Sequence, residues 1–172
     1  MSENVVYDML SGYLQQNDVI EFINYIESIS GESDEIIIYT SITGLTIGAY
    51  CILCDYLENV DKNIHFRLVE DIGGLAVDFL IKTKHQVSAT MGFNAGLICA
   101  LEANLSVTAV SQEEDNPIKA SLDWIRNNTK KRASWYRYLG LDEKDVTRFK
   151  NHEEVLIRNK DFFKYRKVEH DK

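Results

Sequence analysis

With 172 residues, of which 45% are hydrophobic, 27% charged and 10% aromatic, the chain has the make-up of a globular protein of one-domain size, which excludes disordered, collagen-like and disulfide-framework classes. Nineteen Lys and Arg against 27 Asp and Glu leave a formal charge of −8, the wrong sign for neutralising phosphates, so no nucleic-acid partner is expected. Nine Gly and one Pro argue against a loop-rich β-sandwich, and the apolar runs at 36–38 and 75–81 fall far short of the ~20 residues a membrane span needs.

In chain order, the opening Met-Ser-Glu-Asn lacks the basic start and apolar core of a secretory signal, and residues 5–11 predict a short strand. Val19, Ile20, Phe22, Ile23, Ile26 and Ile29 recur at helical spacing, with Asn17 or Asp18 placed to cap the helix. Residues 30–34 break it. Glu35-Ile-Ile-Ile-Tyr39 is then apolar on both faces, as a central strand of a parallel sheet would be. Residues 40–44 predict a turn, and Ala49, Ile52, Leu53, Tyr56, Leu57 and Val60 form a second helical stripe. A strand over 64–69, a turn at Asp71-Ile-Gly-Gly74 and a short apolar helix over 75–83 follow. This alternation predicts an α/β fold, with crossover units around a mainly parallel sheet and any site in the loops at the carboxyl ends of the strands.

Beyond Asn116-Pro117 the chain becomes polar and helical. Leu122, Ile125, Ala133, Trp135, Tyr136 and Leu139 mark a long helix over 118–140 with Gly140 at its C-terminal cap, and a further helix starts at Asp142. Lys160, Lys164, Arg166, Lys167 and Lys172 make 158–172 a basic, solvated tail. Cys51, Cys54 and Cys99 are odd in number and fit buried thiols in a reducing, cytoplasmic setting; a Cys51-x-x-Cys54 redox or metal pair is the alternative. His65 is expected to pack within a strand, with no identifiable partner, and His85 to sit on a surface loop. Glu70 and Asp71 are solvated turn carboxylates or an acidic pair for a metal or acid/base work.

The order of these features resembles the proteolytic subunit of the Clp (caseinolytic) protease and its wider crotonase-like fold class, over about residues 5–157 taken as one domain. Val6-Tyr-Asp-Met-Leu-Ser-Gly12 is similar to that family's first strand, and Ile36-Ile-Ile-Tyr-Thr-Ser41 to its Leu-Tyr-Ile-Asn-Ser strand. Leu45-Thr-Ile-Gly-Ala-Tyr50 and Leu53-Cys-Asp-Tyr56 resemble the segment and helix that follow. The resemblance implies repeated β-β-α or βαβ units with a C-terminal helical part. It places the family's nucleophilic serine at Gly74, its histidine at Ile98 or Cys99, and its aspartate between Phe149 and Glu153. The family's Pro-Gly-Gly oxyanion turn is matched by Ile42, Thr43 and Gly44, of which Thr43 and Gly44 are the remnant.

Acyl transfer by that route needs a hydroxyl, an imidazole that takes its proton and a carboxylate that orients the imidazole. Gly74 offers no hydroxyl, and no histidine stands at 98 or 99. The resemblance therefore implies a catalytically inactive structural or regulatory subunit, with no cofactor and no metal. Its expected partners are copies of itself, in a ring of about six or seven subunits, and an active Clp-type subunit. Leu122, Ile125, Trp135 and Tyr136 are the interface candidates. The alternatives are a hydrolase or lyase of the same fold with a relocated site, and a non-ring binding protein, for instance viral, that modulates a protease.

Overall fold

A computed structural model of the chain describes residues 5–29, 35–100 and 117–171, with side chains from Asp123 onward in the last of these. The break at 30–34, Asn116, the Leu122 side chain and Lys172 lie outside the described residues. The elements in order are β1 (Val5–Leu14), α1 (Gln16–Ser28), β2 (Glu35–Leu45), α2 (Ile47–Asn59), β3 (Ile64–Leu68), β4 (Ile72–Gly73), α3 (Leu75–Lys82), β5 (Gln86–Ala89), β6 (Ala95–Ile98), α4 (Pro117–Leu139), α5 (Glu143–Lys150), β7 (Val155–Arg158) and α6 (Asn159–His170). They fall into two compact units, one of residues 1–98 with 156–172, the other of residues 99–155.

The first unit is α/β, as the alternation predicts. Its larger sheet has the order β1-β2-β3-β5, with every neighbouring pair parallel. Parallel neighbours require crossovers, and α1, α2 and α3 supply them. A smaller sheet, β4-β6-β7, contains the parallel pair β4–β6. One face of the larger sheet carries Ile36, Ile38, Ile64, Phe66 and Leu68, all at 2% exposure or less. Phe66 meets Phe79 of α3 edge to face, with centroids 5.3 Å apart. Ile37, on the opposite face, is buried too, whereas Glu35 and Tyr39 beside it are half-buried, so β2 is a central strand that is fully covered on one face and partly covered on the other.

The turn expected at 40–44 is instead a continuation of β2 to Leu45. The reason is tertiary: β1 is ten residues long and keeps pairing until Leu14↔Leu45, absorbing one register shift after Gly12 at φ 83. The cap of α1 also differs. Gln15 is the N-cap, and Asp18 reaches back to accept the Gln15 N–H at 2.7 Å.

Residues 158–171 are likewise not a solvated tail. They begin at the end of β7 and form α6, whose Phe162 and Tyr165 are buried; Phe162 packs edge-on against Phe93 at 5.5 Å. Lys160, Lys164 and Lys167 occupy the exposed side of the helix. Two apolar residues three apart suffice to dock it once a matching surface exists.

In the second unit, α4 ends where expected: Gly140 adopts φ 109, and Leu141 N–H returns to the Tyr136 carbonyl at 2.9 Å. Asp142 then caps α5 by accepting from Asp145 N–H at 2.9 Å. Tyr136 is fully enclosed against Phe149, with centroids 5.7 Å apart, so it is a core residue of this unit and not the surface residue expected of an interface. Ile125 and Trp135 are half-buried. Among the described residues no helix is long and apolar enough to cross a membrane.

Candidate functional site

Two places gather chemistry-bearing groups in the first unit. One is the junction of β4 and α3, where Gly74 is the residue that turns strand into helix, at φ 59 and ψ −131. That conformation is open to glycine and strained for other residues. The Gly74 N–H donates to the Leu97 carbonyl at 2.8 Å, joining the turn to β6. A Cβ at position 73 would lie 2.4 Å from the Thr43 carbonyl oxygen, and one at 74 would find Gly44 Cα at 4.0 Å as its nearest neighbour. Thr43–Gly44 and Gly73–Gly74 therefore run backbone against backbone, with room above Gly74 for a side chain that the sequence does not provide.

Cys99 lies just after β6 and belongs to the other unit; its carbonyl accepts from Arg132 Nη1 at 2.9 Å. Asp71 is committed to structure, since its Oδ1 accepts from the Asn94 and Ala95 amides at 3.0 and 2.9 Å and so launches β6. Glu70 is exposed beside it. Among the described residues there is no group of three or more His, Cys, Asp or Glu side chains that could hold a metal. Cys51 is exposed, whereas burial pushes the Cys54 thiol up to about 11 and leaves it protonated near neutrality. Cys54 lines a cleft of about 430 Å³ with Tyr50, Leu57, Phe79, Lys82 and His170.

The second place escaped the sequence. His65, on β3, is 5% exposed and has a partner on each ring nitrogen. Its Nδ1 stands 3.0 Å from Glu35 Oε1 on β2, and its Nε2 stands 2.7 Å from Ser88 Oγ on β5. The register explains the meeting. His65 pairs with Ile37 on one side and Gln86 on the other, so Glu35 and Ser88 lie two residues away along neighbouring strands, on the same face and within diagonal reach. The local signal was weak, because β3 also holds Arg67, β5 also holds Gln86 and β2 also holds Thr40 and Ser41. The proximity of Glu35, His65 and Ser88 needs the strand register, which no short window of sequence contains.

His85 is not on a surface loop. It is buried, and its Nε2 donates to the Leu57 carbonyl at 2.8 Å. Burial holds its pKa below the ordinary 6.5, partly opposed by that hydrogen bond and aided by Lys84. The unfolded chain thus takes up this proton at a higher pH than the folded one. Stability from this residue is lost as the pH drops below about 6.5. His85→Gln should flatten that part of the curve of melting temperature against pH between about pH 7 and pH 5; an unchanged slope would assign the loss to other groups.

No family model matches this chain, and none of the curated proteins matches it.

Proposed function

We propose that the chain is a Clp-protease-like subunit of the crotonase-like fold class from which the peptidase centre has been removed, and that it works as a structural or regulatory member of an oligomer. The observation that carries this is the β4–α3 junction. A residue held at φ 59 and ψ −131 between strand and helix, with a second glycine-bearing segment packed alongside, has the geometry of a nucleophile turn. The residue there is glycine, so the turn positions nothing that can attack. The resemblance of 36–56 to the family supports the same reading. Ring formation with itself, and association with an active Clp-type subunit, are the partner expectations that follow.

Native mass spectrometry at micromolar concentration tests this. The expected result is a closed assembly of about six or seven copies, or entry into an assembly when mixed with an active Clp-type subunit. A strictly monomeric mass in both samples would leave a binding protein in its place.

A further inference from the structure

The β4–α3 turn is not where this chain assembles a nucleophile, a base and an acid. We propose that Ser88, His65 and Glu35 form an acyl-transfer site on the second face of the four-stranded sheet, with small carboxylic esters as its substrate class. The distances are those of a working relay: 2.7 Å from Ser88 Oγ to His65 Nε2 and 3.0 Å from His65 Nδ1 to Glu35 Oε1. With Nδ1–H donated to the Glu35 carboxylate, Nε2 is the lone-pair nitrogen and accepts the Ser88 hydroxyl proton. Burial of the ring holds it in that orientation.

The surroundings supply the remaining parts. The row Met9↔Tyr39↔Arg67↔Ser88 crosses the sheet one step beyond His65, on the face opposite Phe66. Tyr7 stacks on Tyr39 at 6.3 Å, and Tyr7 and Met9 are 58% and 59% exposed, so this face is open at its β1 edge, two strands from His65 and three from Ser88. Arg67, cross-strand partner of Ser88, puts a guanidinium over the Tyr39 ring and brings positive charge to this face. β5 is the last strand of the sheet, and its Thr90 end donates to the Leu68 carbonyl. Amides alternate along a strand, so the Ala89 N–H, next in sequence to the nucleophile, points away from β3 at the edge of the sheet.

In the first step Ser88 Oγ bonds to the ester carbonyl carbon while its proton passes to His65 Nε2. Collapse of the tetrahedral species breaks the bond to the alcohol, which departs with that proton. Water then attacks the acyl-serine, giving its proton to Nε2, and the carboxylic acid leaves as Ser88 recovers its hydrogen. Glu35 is the positioning residue, acting through the imidazole.

The site stands independently of the assembly proposed above. The test is to treat the intact chain with a fluorophosphonate probe, locate the adduct by peptide mass spectrometry, and follow p-nitrophenyl butyrate hydrolysis. The adduct is expected on Ser88, with Ser88→Ala abolishing both labelling and turnover. His65→Gln should lower turnover on the order of 100-fold or more. Glu35→Gln should lower kcat with KM unchanged, and Glu35→Asp should recover part of it. An adduct elsewhere, or none on the folded chain, overturns the proposal and leaves the relay as a polar tie across three strands.

Discussion

Replacing Arg166 by alanine should cost the fold about 3 kcal/mol or more, although the residue lies in a basic run near the C-terminus. Its guanidinium is turned inward from α6 and reaches the end of α3. Nη1 donates to the carbonyls of Leu80, Ile81 and Thr83, and Nη2 donates to the His85 carbonyl at 3.1 Å. The last carbonyls of a helix have no partner within it, and they carry the negative end of its dipole, so a cation there satisfies both needs. Burial pulls the Arg166 pKa down to about 10, because the charge loses hydration on leaving water. The carbonyls repay that loss, and alanine would leave those of Leu80, Thr83 and His85 without this donor, while the Ile81 carbonyl keeps His170 Nε2 at 3.1 Å. Arg166→Lys should recover only part of the stability, because an ammonium cannot serve so many acceptors in one plane. Urea unfolding of the three proteins gives the values, and a loss for Arg166→Ala below about 1 kcal/mol would show that α6 docks through its aromatics alone.

The second large effect concerns two adjacent glycines that ought to behave very differently. At Gly73 a new Cβ would stand 2.4 Å from the Thr43 carbonyl oxygen and 3.2 Å from its carbon, and both are backbone atoms of β2. Neither can move without displacing a central strand, so Gly73→Ala should lose about 3–5 kcal/mol. At Gly74 the space is open, and the penalty is only that of the strained φ 59, ψ −131 backbone, about 1–3 kcal/mol for a residue with a Cβ. Gly74→Ala should therefore melt well above Gly73→Ala. The reverse order would mean that Thr43 and Gly73 do not pack backbone against backbone.

The candidate sites divide along the same line as these variants. The β4–α3 turn was legible because its glycines are consecutive and sit between a strand pattern and an apolar helix. The resemblance to the Clp-type family then attached a role to Gly74, and nothing about distance had to be known. The relay of Glu35, His65 and Ser88 was not legible, although His65 stood out. Its partners are 30 and 23 residues away, and only parallel pairing of β2, β3 and β5 brings them together. Seen alone, His65 had no identifiable partner, and nothing near it in the sequence points to Ser88.

Taken by itself, the sequence determined the features that depend on neighbours a few residues apart. These are the alternation of strand and helix, the doubly apolar strand at Glu35 to Tyr39, the long helix that spans Pro117–Leu139, and its glycine cap at Gly140. Periodicity and capping act over one or two turns of chain, so a local window holds all the information they need. Only the tertiary structure decided the rest. β2 runs on to Leu45 because β1 continues beside it, the basic segment becomes α6 because Phe162 and Tyr165 find a surface, and Tyr136 turns inward because Phe149 is there to meet it. In each case the free energy comes from a partner distant in sequence. Burial and register belong to the pair of elements and to neither one alone.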